Sequence, residues 1–211
     1  MEIFTLVFSP IEVNTYILAD DSGDCAIIDC GCYNENEFSK LTALLEKKSL
    51  KPVLLLNTHC HLDHIFGNRF MLEKYNLRAY CSREDDWNRL NAVNVARLFG
   101  LEMETPPDPL SYIVDDQIVA FGELVLRAIH VPGHSKGSIA YFSEENDAVF
   151  TGDALFSGSI GRTDLPGGDY STLIKSISTR LFSLPGKTLV YPGHGPSTTI
   201  EKEIKTNPYF N

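Results

Sequence analysis

The chain has 211 residues, 43% hydrophobic and 22% charged, the balance of a globular protein with a sizeable core. Its net charge of -10 argues against a general nucleic-acid binder, which presents a basic face. No apolar run approaches the ~20 residues of a membrane span, and Met1-Glu2-Ile3-Phe4 lacks the basic region and apolar core of a signal peptide, so a cytoplasmic location is expected. Five cysteines, odd in number and without a Cys-x-x-Cys, fit reduced thiols in that compartment.

In chain order, Ile3–Phe8, Thr15–Ala19 and Cys25–Asp29 read as strands, the last two separated by the turn Asp20-Asp21-Ser22-Gly23-Asp24. Glu35–Lys48 has helical periodicity, with Phe38, Leu41, Leu44 and Leu45 on one face. Val53–Leu56 is a short buried strand. Just past its end begins Thr58-His59-Cys60-His61-Leu62-Asp63-His64, which packs four metal-capable side chains into six positions. His59, His61 and Asp63 alternate, so an extended backbone projects them to one side. His64, at a bend or helix start, can aim at a neighbouring point. That arrangement suits two cations side by side better than one.

Ile65–Tyr75 is expected to be helical, Arg78–Cys81 a strand and Arg83–Phe99 an amphipathic helix. Strands Ile118–Phe121 and Leu124–His130 follow, joined at Gly122-Glu123, then the pair Ser138–Phe142 and Ala148–Thr151. Tyr170–Leu184 reads as a helix with Leu173, Ile177 and Leu181 inward, Leu189–Tyr191 as a strand and Ile200–Lys205 as a short helix. Strands mixed with helices in this way predict a layered α/β fold. The two halves share a rough strand, hairpin, helix, strand order, which suggests an internal duplication.

Three further candidates sit beside glycine at the ends of apolar stretches: His134 in Val131-Pro132-Gly133-His134-Ser135, Asp153 in Phe150-Thr151-Gly152-Asp153, and His194 in Tyr191-Pro192-Gly193-His194-Gly195. An Asp after Gly is ordinarily a turn residue. Together with the first cluster, however, these use every histidine except His130, and scattered surface histidines would not all fall at strand-to-loop junctions. His130, within a strand, reads as a sheet or core residue.

The order Thr-His-x-His-x-Asp-His, then Gly-His, Gly-Asp and Gly-His, resembles the metallo-β-lactamase superfamily across nearly the whole chain. The resemblance implies one domain over residues 1–211, a four-layer αββα sandwich with metals in a groove along one edge. It implies His59, His61 and His134 as ligands of one divalent ion, Asp63, His64 and His194 of a second, and Asp153 as the bridge. Zinc is the expected metal, with iron or manganese as alternatives. Asp29, ending Ala26-Ile27-Ile28-Asp29, matches the family's first motif and is expected to brace the metal loop, because ligand imidazoles need a partner on their other nitrogen.

Within the superfamily, Thr151-Gly152-Asp153-Ala154-Leu155-Phe156, the Gly-rich stretch 158–169 and Thr206-Asn207-Pro208-Tyr209 look most like the short glyoxalase II-like hydrolases. Larger glyoxalase II enzymes carry a C-terminal helical domain that helps hold glutathione. This chain stops soon after His194, so no glutathione contact is carried over. The implied activity is hydrolysis of a small-molecule thioester such as S-lactoylglutathione, with no nucleic-acid or membrane partner. Water activated between two ions attacks the carbonyl, Asp63 both ligates and orients it, and a thiol of pKa ~8.5 leaves without a strong acid.

Arg162 could clamp a substrate carboxylate, but a local pair with Asp164 or Asp169 is the favoured reading. Cys60, turned away from its ligand neighbours, is expected to pack. Trp87, Phe99 and Met103, where the family has a variable lid, are expected to be core. The Gly161-Arg162-Thr163-Asp164 loop also resembles that of the mono-iron persulfide dioxygenases. That oxidoreductase, another hydrolase of the same fold (lactonase or phosphodiesterase) and a non-catalytic metal-stabilised module are the alternatives.

Overall fold

The computed structural model describes residues 1–211. The first half forms β1 (Glu2–Phe8), β2 (Val13–Ala19), β3 (Asp24–Ile28), α1 (Glu35–Lys47), β4 (Lys51–Leu56), α2 (Leu62–Ile65), α3 (Asn68–Tyr75), β5 (Tyr80–Cys81), α4 (Asp86–Leu98) and β6 (Ser111–Tyr112). The second forms β7 (Ile118–Phe121), β8 (Leu124–His130), β9 (Ile139–Ser143), β10 (Ala148–Gly152), the small hairpin β11 (Leu155–Phe156) and β12 (Ser159–Ile160), α5 (Tyr170–Ser176), β13 (Leu189–Pro192), β14 (Thr198–Thr199) and α6 (Ile200–Thr206). The two large sheets run β1-β2-β3-β4-β5-β6 and β14-β13-β10-β9-β8-β7.

Strand alternation builds the layers. Tyr16, Leu18, Ala26 and Ile28 on one sheet meet Leu126, Ala128, Tyr141 and Phe150 on the other, closing the core between the sheets. The opposite faces of the same strands are also apolar. Ile17 and Ile27 pack under Leu41 and Leu45 of α1 and Met71 of α3. Ala140, Phe142 and Val190 pack under Leu173 of α5, Ile177, Leu181 and Ile200. Hence helix, sheet, sheet, helix. No helix is long and apolar enough to cross a membrane.

Both sheets repeat one order. An antiparallel trio (β1-β2-β3, β8-β9-β10) is followed, after a helical crossover, by a parallel fourth strand (β4, β13). Asp29 follows β3 and Asp153 follows β10; the His/Asp run follows β4 and His194 follows β13. The carboxyl ends of adjacent parallel strands are where open α/β sheets gather a site. The sheets are tied together at that edge: Asn14 N donates to Gly193 O at 2.7 Å, Tyr16 Oη to Pro192 O at 2.6 Å and Ile139 N to Thr58 O at 2.7 Å.

The expected helix over 65–75 is instead two. The break falls at Phe66-Gly67, where Gly67 N donates to Cys30 O at 2.8 Å and a Cβ would collide with Cys30 Sγ. The helix expected over 83–99 starts with a 3-10 turn, Arg83–Asp85, capped by Ser82. The one expected over 170–184 ends its α-helical part at Ser176 and widens into a π turn over Ile177–Leu181. Strands β6, β11, β12 and β14, of two residues each, carry no periodicity and were not expected.

Candidate metal centre

Asp29 organises the loop after β4. Its backbone is left-handed (φ 54°), a conformation Asp tolerates better than most residues. Its Oδ1 accepts from Thr58 N at 2.7 Å, and its Oδ2 from Thr58 Oγ1 at 2.6 Å and His64 Nδ1 at 2.9 Å. The carboxylate therefore grips the start and the end of the Thr58–His64 run.

Four histidines have their outer nitrogen occupied by an oxygen acceptor. His64 Nδ1 donates to Asp29. His59 Nδ1 lies 3.1 Å from Thr58 Oγ1, whose own proton goes to Asp29, so the imidazole is the donor. His134 Nδ1 donates to Arg162 O at 2.8 Å and His194 Nδ1 to Glu12 O at 3.1 Å. In its neutral form each ring then turns an Nε2 lone pair to the centre, the tautomer that metal ligation requires. His61 faces inward through Nδ1. His59 Nε2, His61 Nδ1 and His134 Nε2 form a triangle with edges of 3.1, 2.8 and 3.2 Å. Ligands ~2.0–2.1 Å from one tetrahedral ion are about 3.3 Å apart, so the triangle is near the size one cation needs.

A second set adjoins it. His194 Nε2 is 3.1 Å from Asp63 Oδ2, and His64 Nε2 is 3.6 Å from the same oxygen. Asp153 stands between the sets, with Oδ1 3.3 Å from His64 Nε2 and Oδ2 3.6 Å from both His134 Nε2 and His194 Nε2. His64 Nε2 and Asp153 Oδ1 are buried and neither makes a hydrogen bond. Such orphans cost about 1–3 kcal/mol each unless a partner meets them, and a cation would meet both. All-imidazole and carboxylate donors without thiolate suit zinc, iron or manganese. The cluster fits a dinuclear metal site.

The local electrostatics follow. Burial and the surrounding imidazoles hold His59 well below the usual histidine range; burial and His134 drive His61 down to about 3. Burial also opposes charge on His64, but Asp63, Asp153 and Asp29 outweigh it and raise His64 well above its ordinary value. His194 is raised as well: burial opposes it, and the hydrogen bond to Asp63 prevails. Burial would raise Asp63 and Asp153, yet His64 leads the contacts that hold both below the usual carboxylate range. Cations entering this centre replace protons. Gly193 keeps the space open, since a Cβ there would collide with Asp153 Oδ1.

The structure thus brings together all seven expected donors, with Asp29 behind them. His130 lies outside, donating through Nε2 to Lys136 O at 2.8 Å. Cys60 is buried against Leu62, Ile65, Phe66 and Cys81. Arg162 forks onto Asp164 at 2.8 and 2.7 Å, while its backbone carbonyl orients His134. Asp85, read only as part of a helix, is a buried brace. Its Oδ2 accepts from Cys60 N at 2.7 Å and Ser135 Oγ at 3.0 Å, and its Oδ1 from Gly137 N at 2.7 Å, joining the His59–His61 loop to the His134 loop. Two expectations fail: Trp87 and Phe99 are 53% and 58% exposed, and they line a groove rather than the core. The buried side of α4 is a narrow one, Asn88, Arg89, Ala92 and Ala96. Met103 is only partly buried, against the Cys60 cluster.

The groove, about 420 Å³, has His61, Asp63, His134, Asp153 and His194 on its floor, a size suited to a small molecule. A sandwich of this build with such a centre at its edge is that of a metallo-hydrolase. The chain belongs to the metallo-β-lactamase superfamily, whose family model matches residues 9–194. It is 38% identical to the probable metallo-hydrolase YqgX of Bacillus subtilis over 96% of this chain and 94% of that one. It is 34% identical to hydroxyacylglutathione hydrolase GloC of Haemophilus influenzae over 100% and 99%. Among solved structures, TTHA1623 in a di-iron-bound form superposes with a TM-score of 0.88 at 38% identity, covering 98% of this chain and 99% of that one.

Proposed function

We propose that this metallo-hydrolase cleaves thioesters, with S-lactoylglutathione as the reference substrate. His59, His61 and His134 would hold one divalent ion and Asp63, His64 and His194 a second, with Asp153 placed within reach of both sets. Zinc is the proposed metal; the donor set also accepts iron or manganese. The observation that carries this reading is the set of four imidazoles whose Nδ1–H groups are each tied to oxygen, so that their Nε2 lone pairs converge with two carboxylates on the floor of an open groove. The GloC relative supports the thioester class.

When bound, the ions supply Lewis acidity and lower the pKa of water toward ~7. The chain's own residues do the rest. Asp29, through Thr58 and directly, fixes the rings of His59 and His64. Asp63, with Oδ2 directed at His194, orients the attacking water. A thiol of pKa ~8.5 departs as thiolate, so the cleavage needs no strong acid, and the centre supplies none beyond the ligand set. All five cysteines are unpaired, which supports a reducing, cytoplasmic setting.

The test is hydrolysis of S-lactoylglutathione by protein stripped with chelator and reloaded with zinc. Loss on stripping and recovery on reloading is expected. One iron per chain together with oxygen consumption on glutathione persulfide would replace this reading with that of a persulfide dioxygenase.

A further inference from the structure

The wall facing the metal centre is apolar, and thioester cleavage alone does not demand that. Helix α4 turns Asn88, Ala92 and Val95, at i, i+4 and i+7, into the groove, with Phe99 just past its C-terminal end and Trp87 beside them. Trp87 and Phe99 keep more than half their surface in contact with solvent. Core packing therefore does not account for them, and large apolar side chains grouped at the mouth of a groove mark a ligand contact. Phe156 and Leu165 extend the apolar lining.

Charge narrows the ligand further. Arg162 is the one cationic side chain on the lining other than the histidines, and its guanidinium is already occupied by both oxygens of Asp164. Asp63 and Asp153 sit on the floor. Apart from the metal centre itself, the lining has no free cationic side chain to receive a carboxylate buried in the groove. Thiol carriers such as glutathione are polar and charged, so the apolar half of such a thioester is its acyl half.

Resting on the thioester reading, we propose that the preferred substrate carries an apolar acyl group of several carbons, seated on Trp87, Val95 and Phe99, with the polar thiol carrier directed to solvent. The wall is then a specificity determinant: each methylene it buries raises kcat/KM by about three- to fourfold until the wall is covered.

The experiment holds the thiol constant. The zinc-loaded protein is assayed on S-acetyl-, S-butyryl-, S-hexanoyl- and S-lactoylglutathione, beside Trp87→Ala/Phe99→Ala and the conservative Phe99→Leu, with metal content measured for each. Rising kcat/KM from acetyl to hexanoyl is expected, with hexanoyl above lactoyl. The double variant should flatten that rise at unchanged metal content, and Phe99→Leu should retain most of it. Lactoyl preferred over hexanoyl, or a rise that survives the double variant, overturns the inference and leaves thioester hydrolysis standing. No turnover of any of the four overturns both.

Discussion

Asp29→Asn removes one charge with almost no change of shape, and Asp29 is 2% exposed. The carboxylate accepts three hydrogen bonds, one on Oδ1 and two on Oδ2. An amide has one oxygen, so one side of the substituted group presents N–H to a donor. If the amide nitrogen faces Thr58 N, one buried donor loses its acceptor. If it faces Thr58 Oγ1 and His64 Nδ1, two do. Each unmet donor costs about 1–3 kcal/mol. For a chain of this length that is a fall in Tm of about 2–4 °C per kcal/mol. The metal effect is separable: His64 touches Asp29 directly and His59 only through Thr58, so the second ion should suffer more. Loss of such a supporting contact weakens binding about 10–100-fold. Thermal denaturation of the chelated protein gives the first quantity and competitive zinc titration the second. A variant that melts lower but binds two ions with unchanged affinity would refute the assignment of Asp29 to orienting the ligands.

Asp63→Ala should reduce thioester kcat by about 10²–10⁴, the range for a positioned acid–base group, with the first ion retained; steady-state kinetics with metal analysis checks this. Asp85→Ala strands the buried Cys60 and Gly137 amides and should destabilise the protein by about 1–3 kcal/mol per group, read as a lower urea midpoint. Zinc affinity should rise from pH 6 to pH 8. His64 and His194 are raised above their ordinary values and hold protons that ligation must displace, so acid favours the protonated, metal-free centre; an affinity that falls over that range would contradict the ligand assignment.

The seven donors and Asp29 were legible because each is a metal-capable type at the end of an apolar stretch, several beside a glycine the close packing requires. Asp85 was not legible. A carboxylate that accepts backbone amides from two distant loops leaves no spacing in the sequence, and its place after Ser82 looks like an ordinary helix start. Periodicity also could not distinguish Trp87 and Phe99 on a groove wall from core residues, because both are large apolar residues within a stretch that reads as one amphipathic helix. Nor could it see the break at Gly67, where the limit is the Cys30 contact. Strands β2, β8 and β10, several residues long and apolar, were found within two residues at their ends; two-residue strands depend on their neighbours in the sheet.

The centre is expected to hold two ions. Crystals of the zinc-loaded protein, with anomalous diffraction collected at the zinc edge, test it most directly. Two peaks are expected, one bounded by His59, His61 and His134, the other by Asp63, His64 and His194, with Asp153 reaching both. A single peak in the first set, with His64 Nε2 still unligated, would contradict it.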